Sequence, residues 1–141
     1  MLRVKKLNWE PHNEVMGAFI VENNEILSIY PKGTHNGYVI LGILHPCYGL
    51  DYEEINEELY DKDLEPPHGG ITFGRTLFDF HREDLRNILD ELYPGLGIKN
   101  INYHILGFDT LHLDDNEFNW NQEAVEKETI RFAETMAKIK E

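Results

Sequence analysis

The chain has 141 residues, 41% of them hydrophobic and 11% aromatic, with 26 Asp and Glu against 13 Lys and Arg and a formal charge of −13. That size and apolar content are those of one folded domain, read here as residues 1–141, and they exclude a disordered or fibrous chain. The charge opposes direct binding to nucleic-acid phosphates or anionic lipid, and leaves a basic protein partner, a cation, or simple solubility as its use.

Cys47 is the single cysteine, so no internal disulfide can form. The basic opening, residues 1–9, is not followed by an apolar signal core, and no stretch approaches the roughly 18 apolar residues of a membrane span. The expected compartment is the cytoplasm.

In chain order, residues 2–9 alternate weakly and suit an edge strand. Val15 to Val21 is a compact apolar run, and Ile26 to Tyr30 follows an Asn-rich turn, which suggests a hairpin. Tyr38 to Leu44 is apolar enough for a central strand, closed by His45-Pro46. Asp51 to Tyr60 has helical character, with Ile55 and Leu59 spaced for burial. Pro66-Pro67 breaks the chain, and Ile71 to Phe73 suits a short strand. Arg82 to Leu92 places Leu85, Ile88, Leu89 and Leu92 on one helical face, and Ile101 to Phe108 suits a late strand. Val125, Thr129, Phe132 and Met136 recur at spacings of one helical stripe, with Asn119 or Asn121 placed to cap it. The fold class is therefore α+β: an antiparallel or mixed sheet of about five strands with two or three helices, the C-terminal one packed on the sheet.

Two motifs are set aside on physical grounds. Gly69 to Thr76 has phosphate-loop spacing with Arg75 in the lysine position, but Pro66-Pro67 precedes it where a strand is needed. Cys47 lies two residues after His45, but an acidic surrounding raises a thiol pKa, and a lone cysteine is more often a small buried apolar residue.

The richer constellation is His45, His68, Asp109, His112, Asp114 and Asp115, clustered at predicted strand ends and glycine-flanked turns. Imidazole and carboxylate together suit a divalent metal such as Zn, Mn or Fe, and His45, His68, Asp109, His112 and Asp115 are the candidate ligands. Without a metal, His112 can act as a base oriented by Asp109, with His68 beside them as the third catalytic candidate. Asp109 and His112 meet only if residues 109–112 bend; in a continuing strand they face opposite ways. The plainer reading has Asp109 capping a turn and the histidines satisfying backbone groups. His12, His35, His81 and His104 lie in polar or alternating contexts and carry no functional expectation.

The pieces Gly37-Tyr38-Val39, His45-Pro46, Tyr48-Gly49, Tyr52, His68-Gly-Gly-Ile-Thr-Phe73 and Gly107-Phe108-Asp109 with His112 and Asp115 resemble a family of small uncharacterised proteins encoded largely by bacteriophages and prophages. The resemblance spans roughly residues 37–73 and 105–137, interrupted by some thirty residues from Gly74 to Tyr103. It implies that His68, Asp109, His112 and Asp115 act together, in a phage context, and implies no reaction. Two functions follow as expectations: a His/Asp site for a metal or small ligand, hydrolytic in one version, or an acidic protein that blocks a host factor by mimicking nucleic-acid charge.

Overall fold

The computed structural model describes residues 2–23, 32–80, 82–112 and 114–140. The strand expected at Ile26 to Tyr30 and the side chain of His81 lie outside them. Five strands form one antiparallel sheet in the order β1 (Val4–Lys6), β2 (Val15–Glu22), β3 (His35–Leu41), β5 (His104–Phe108), β4 (Phe73–Thr76). Three α-helices accompany it: α1 (Tyr52–Asp61), α2 (Glu83–Leu92) and α3 (Gln122–Ala137). The class is α+β, with the C-terminal helix on the sheet. Among the described residues no helix is long and apolar enough to cross a membrane.

Strand parity divides the interior in two. Ala18, Ile20, Val39, Leu41, Leu106 and Phe108 face α1 and α3, where they meet Ile55, Leu59, Val125, Phe132 and Met136. Their neighbours Phe19, Ile40 and Ile105 face the other way, against Leu85 and Leu89 of α2 with Leu77 and Phe80. Because side chains alternate across a strand, a sheet covered on both faces needs apolar residues at nearly every position. That is why Val15 to Val21 reads as a continuous apolar run.

The caps explain the helix starts. Asp51 accepts from the Glu53 amide at 3.1 Å, and Asn121, rather than Asn119, accepts from the Ala124 amide at 2.9 Å. Val125, Thr129, Phe132 and Met136 are all fully buried, as their spacing required.

Several strand boundaries differ from expectation: β1 is shorter, β3 starts at His35, β5 starts only at His104, and two further shifts have a visible cause. β3 ends at Leu41 instead of Leu44, because Glu14 takes over: its carbonyl accepts from the Gly42 amide and its carboxylate from the Leu44 amide. Ile43 and Leu44 are left exposed. The strand expected at Ile71 to Phe73 starts only at Phe73, since the Asn56 side chain takes both the amide and the carbonyl of Ile71, at 2.9 Å each.

His45 and His104 are buried at the lower end of this sheet. The His104 Nδ1 accepts from the Gly49 amide at 2.7 Å, and burial holds this imidazole down to about 4, with His45 adding in the same direction. Burial also lowers His45. In the unfolded chain an imidazole binds its proton near pH 6.5, so the folded state is fully stable above that value and loses stability as the pH falls toward 4. For His104 the loss is up to roughly 3 kcal/mol. Urea unfolding between pH 7 and 4 is expected to show it, and His104→Asn, which keeps an acceptor for Gly49, to flatten the slope. An unchanged slope would place the titration elsewhere.

Candidate functional site

The site begins with a turn. After Pro66-Pro67 the chain reverses, with the Gly70 amide donating to the Pro67 carbonyl at 2.8 Å and both Gly69 and Gly70 at positive φ. Helix α3 holds this turn in place. Glu128 accepts from the His68 amide at 2.8 Å, and Arg131 grips Glu128 while donating to the Pro66 carbonyl at 2.7 Å. The His68 ring therefore projects from a fixed point above α3.

The second half follows β5. Asp109 accepts from the Leu111 amide at 3.2 Å, so the strand does not continue and residues 109–112 bend. Thr110, fully buried, anchors the bend: its hydroxyl donates to the His35 carbonyl at 2.7 Å and its amide donates to the Asn36 side-chain oxygen at 3.0 Å. Downstream, Asn116 and Asn119 exchange side-chain and backbone hydrogen bonds, and Trp120 passes its carbonyl to the Thr34 amide. This loop is hydrogen-bonded along most of its length.

Three groups converge between the two halves. One atom each from His68, His112 and Asp115 lie within 4.8 Å of one another. Asp115, only 4% exposed, is the hub. Its carboxylate accepts from His68 Nε2 at 2.8 and 2.9 Å, from the His112 amide at 3.0 Å, and contacts His112 Nδ1 at 3.1 Å. Burial alone raises a carboxyl pKa, but here the hydrogen bonds from His68 and His112 outweigh it, and Asp115 is held below its ordinary range. It is an anion stabilised by its neighbours.

The other nitrogen of His112, Nε2, lies 3.4 Å from Asp109. His112 thus stands between two carboxylates, one at each ring nitrogen. His68 and His112 meet edge to face with centroids 5.0 Å apart, and Trp120 lies against the His68 ring at 4.1 Å. The side chains of His68, His112 and Asp109 are 25%, 34% and 31% exposed, so the cluster opens to solvent on one side and is backed by Asp115 on the other.

Gly69 is built into this geometry. A Cβ there would sit 2.3 Å from two atoms of the His112 ring, and its φ of +71° already disfavours a side chain. The backbone crosses the imidazole where only glycine fits.

His45 is not in the cluster. Its Nδ1 accepts from the Cys47 amide at 3.0 Å and its Nε2 donates to the Met136 carbonyl at 2.8 Å, which leaves no lone pair for a metal. Cys47 is buried and its thiol is pushed up to about 11, by burial first and the Glu58 charge second, so it does not supply a thiolate at neutral pH. Asp114 adopts positive φ, and its carbonyl accepts from the Asn119 side chain. The phosphate-loop spacing from Gly69 to Thr76 falls on a turn and on β4, and only a three-residue 3-10 turn, Leu77–Asp79, follows it.

The sequence pointed to Gly69 through the glycine pair after His68, but two participants carried no expectation: Trp120 and Glu128. Glu128 had a weak signal, being spaced i, i+3 from Arg131 on the helix stripe. Trp120, eight residues past His112, had none.

No protein-family model, curated protein or solved structure matches the chain.

Two glycine substitutions separate strain from collision. Gly49 has φ +79° and nothing within 4 Å of an added Cβ, whereas Gly69 has φ +71° and the His112 ring in the way. Gly49→Ala is expected to cost about 1–2 kcal/mol from backbone strain alone. Gly69→Ala is expected to cost more and to displace His112, seen as a larger fall in melting temperature and a shift of the His112 ring resonances. Equal effects would show that the ring has room to move aside.

Proposed function

We propose that the protein binds a divalent transition metal through His68 Nε2, His112 Nδ1 and an oxygen of Asp115, with Asp109 orienting His112. The observation that carries this reading is the placement of two imidazoles on one buried carboxylate, with a second carboxylate on the outer nitrogen of one of them.

The distances suit the exchange of protons for an ion. Ligand atoms about 2.0–2.1 Å from a zinc-like ion lie about 3.3 Å apart in a tetrahedral site. The His68–Asp115 and Asp115–His112 separations are 2.8 and 3.1 Å, so these two pairs need only small outward movements, and the two imidazole nitrogens, within 4.8 Å of each other, adjust to the same ion. Binding takes the two ring nitrogens that now donate to Asp115, with the imidazole protons carried on His68 Nδ1 and His112 Nε2. Because protons compete with the ion for the ligand atoms, affinity rises with pH. With the metal on Nδ1, the Nε2–H of His112 faces Asp109, the carboxylate–histidine arrangement that fixes ring orientation and raises basicity. Asp115 and Asp109 together offset the charge of a dication, and the overall charge of −13 favours a cation's approach.

Three protein ligands leave coordination positions open, and the cluster is exposed on the side away from Asp115. Such a site polarises a bound carbonyl or phosphoryl oxygen, or lowers the pKa of a bound water, which fits hydrolysis as the reaction class. Zinc, manganese and iron all accept this two-histidine, one-carboxylate donor set. The phage or prophage context comes from the motif resemblance.

The experiment is metal analysis of protein purified without an affinity tag, followed by titration of Zn, Mn and Fe(II) with calorimetry and thermal melts. One equivalent is expected to bind and to raise the melting temperature, and chelation to reverse it. Asp115→Asn and His112→Ala are expected to abolish binding, and Asp109→Asn to weaken it about 10–100-fold. Melts indifferent to metals and chelators, or variants that bind as wild type does, would leave the cluster a structural latch between the turn and the loop.

A further inference from the structure

We propose that a separate cavity, on the α2 side of the sheet, binds a small apolar carboxylate with Arg75 as its counter-ion. The cavity has a volume of about 340 Å³, within the range of small-ligand pockets, and none of His68, His112 or Asp115 lines it. Its walls are Tyr38 of β3, Phe73 of β4, Phe80 and Leu85. The rings form a trough: Phe73 meets Tyr38 edge to face at 5.9 Å and Phe80 at 5.3 Å. A flat apolar body fits such walls by edge and face contact.

The charges at its mouth select the ligand's sign. Arg82 is engaged by Asp84 through two hydrogen bonds of 3.1 Å, and Asp79 accepts from the Thr76 hydroxyl at 2.9 Å. The side chain of Arg75 has no hydrogen bond or ion pair among the described residues. In a chain with twice as many acidic as basic residues, carboxylate partners are abundant, yet none of the described residues pairs with this guanidinium, which lines an aromatic cavity. A guanidinium presents paired donors that match a carboxylate in shape and charge. The net charge of −13 disfavours multiply charged anions, so a single carboxylate on an apolar body is the ligand that satisfies both the walls and the mouth.

The test uses benzoate, with benzamide as its uncharged counterpart, on isotope-labelled full-length protein with chelator present so that metal binding plays no part. Saturable shifts of the Phe73, Phe80 and Leu85 resonances are expected with benzoate, at least tenfold weaker with benzamide. Arg75→Gln, at an exposed position, is expected to keep the wild-type melting temperature and to lose benzoate affinity at least tenfold. The proposal is overturned if benzoate gives no saturable shift, if benzamide binds equally well, if Arg75→Gln binds as wild type does, or if the shifts fall on His68 and His112.

Discussion

A carboxylate buried to 4% exposure is costly unless every lone pair is met, and Asp115 is met by a ring from one part of the chain and by a ring and an amide from another. This one group joins the turn at residues 67–70 to the loop after β5. Neither segment has regular secondary structure, and among the described residues only the shared anion and their mutual packing directly link the His68 and His112 rings. The cost of burying the charge is offset only when both imidazoles are present and aimed inward. Structure and chemical capacity at this site therefore have the same cause.

The sheet delivers the two segments to each other. β5 pairs with β3 on one side and β4 on the other, so the loop leaving Phe108 emerges beside the chain that enters β4 at Phe73. Helix α3 crosses beneath and contributes Glu128 to the His68 amide, tying the turn to the first core. The thirty residues from Gly74 to Tyr103, which interrupt the motif resemblance, supply most of β4 and all of α2, and so cover the opposite face. They build the second core and its cavity without touching the metal-type cluster.

Much of this was legible from residue order. The stripe Val125, Thr129, Phe132, Met136 specifies a buried helical face, and the run Val15 to Val21 specifies a strand covered on both sides, because periodicity encodes which face meets the core. The bend at Asp109 was legible only as a condition, and the Asp109 side chain on the Leu111 amide satisfies it. Less legible were outcomes decided by distant partners. Glu14 ends β3 three residues early, and Asn56 withholds Ile71 from β4; neither contact has a local signal. The roles within the cluster were hidden for the same reason. From spacing, Asp109 and Asp115 are equal candidates for ligand, but folding buries Asp115 between the rings and leaves Asp109 at the outer nitrogen. His45 shares the histidine-rich pattern and is used up by main-chain groups of Cys47 and Met136.

The central claim is that one carboxylate and two imidazoles form a single ion-binding unit. Nitrogen-15 spectra of the imidazoles, recorded before and after one equivalent of zinc, test it atom by atom. The account predicts that His68 Nε2 and His112 Nδ1 move together to the range of metal-bound nitrogen while His112 Nε2 keeps its proton. Spectra in which only one ring responds, or in which His45 or His104 responds instead, would contradict it.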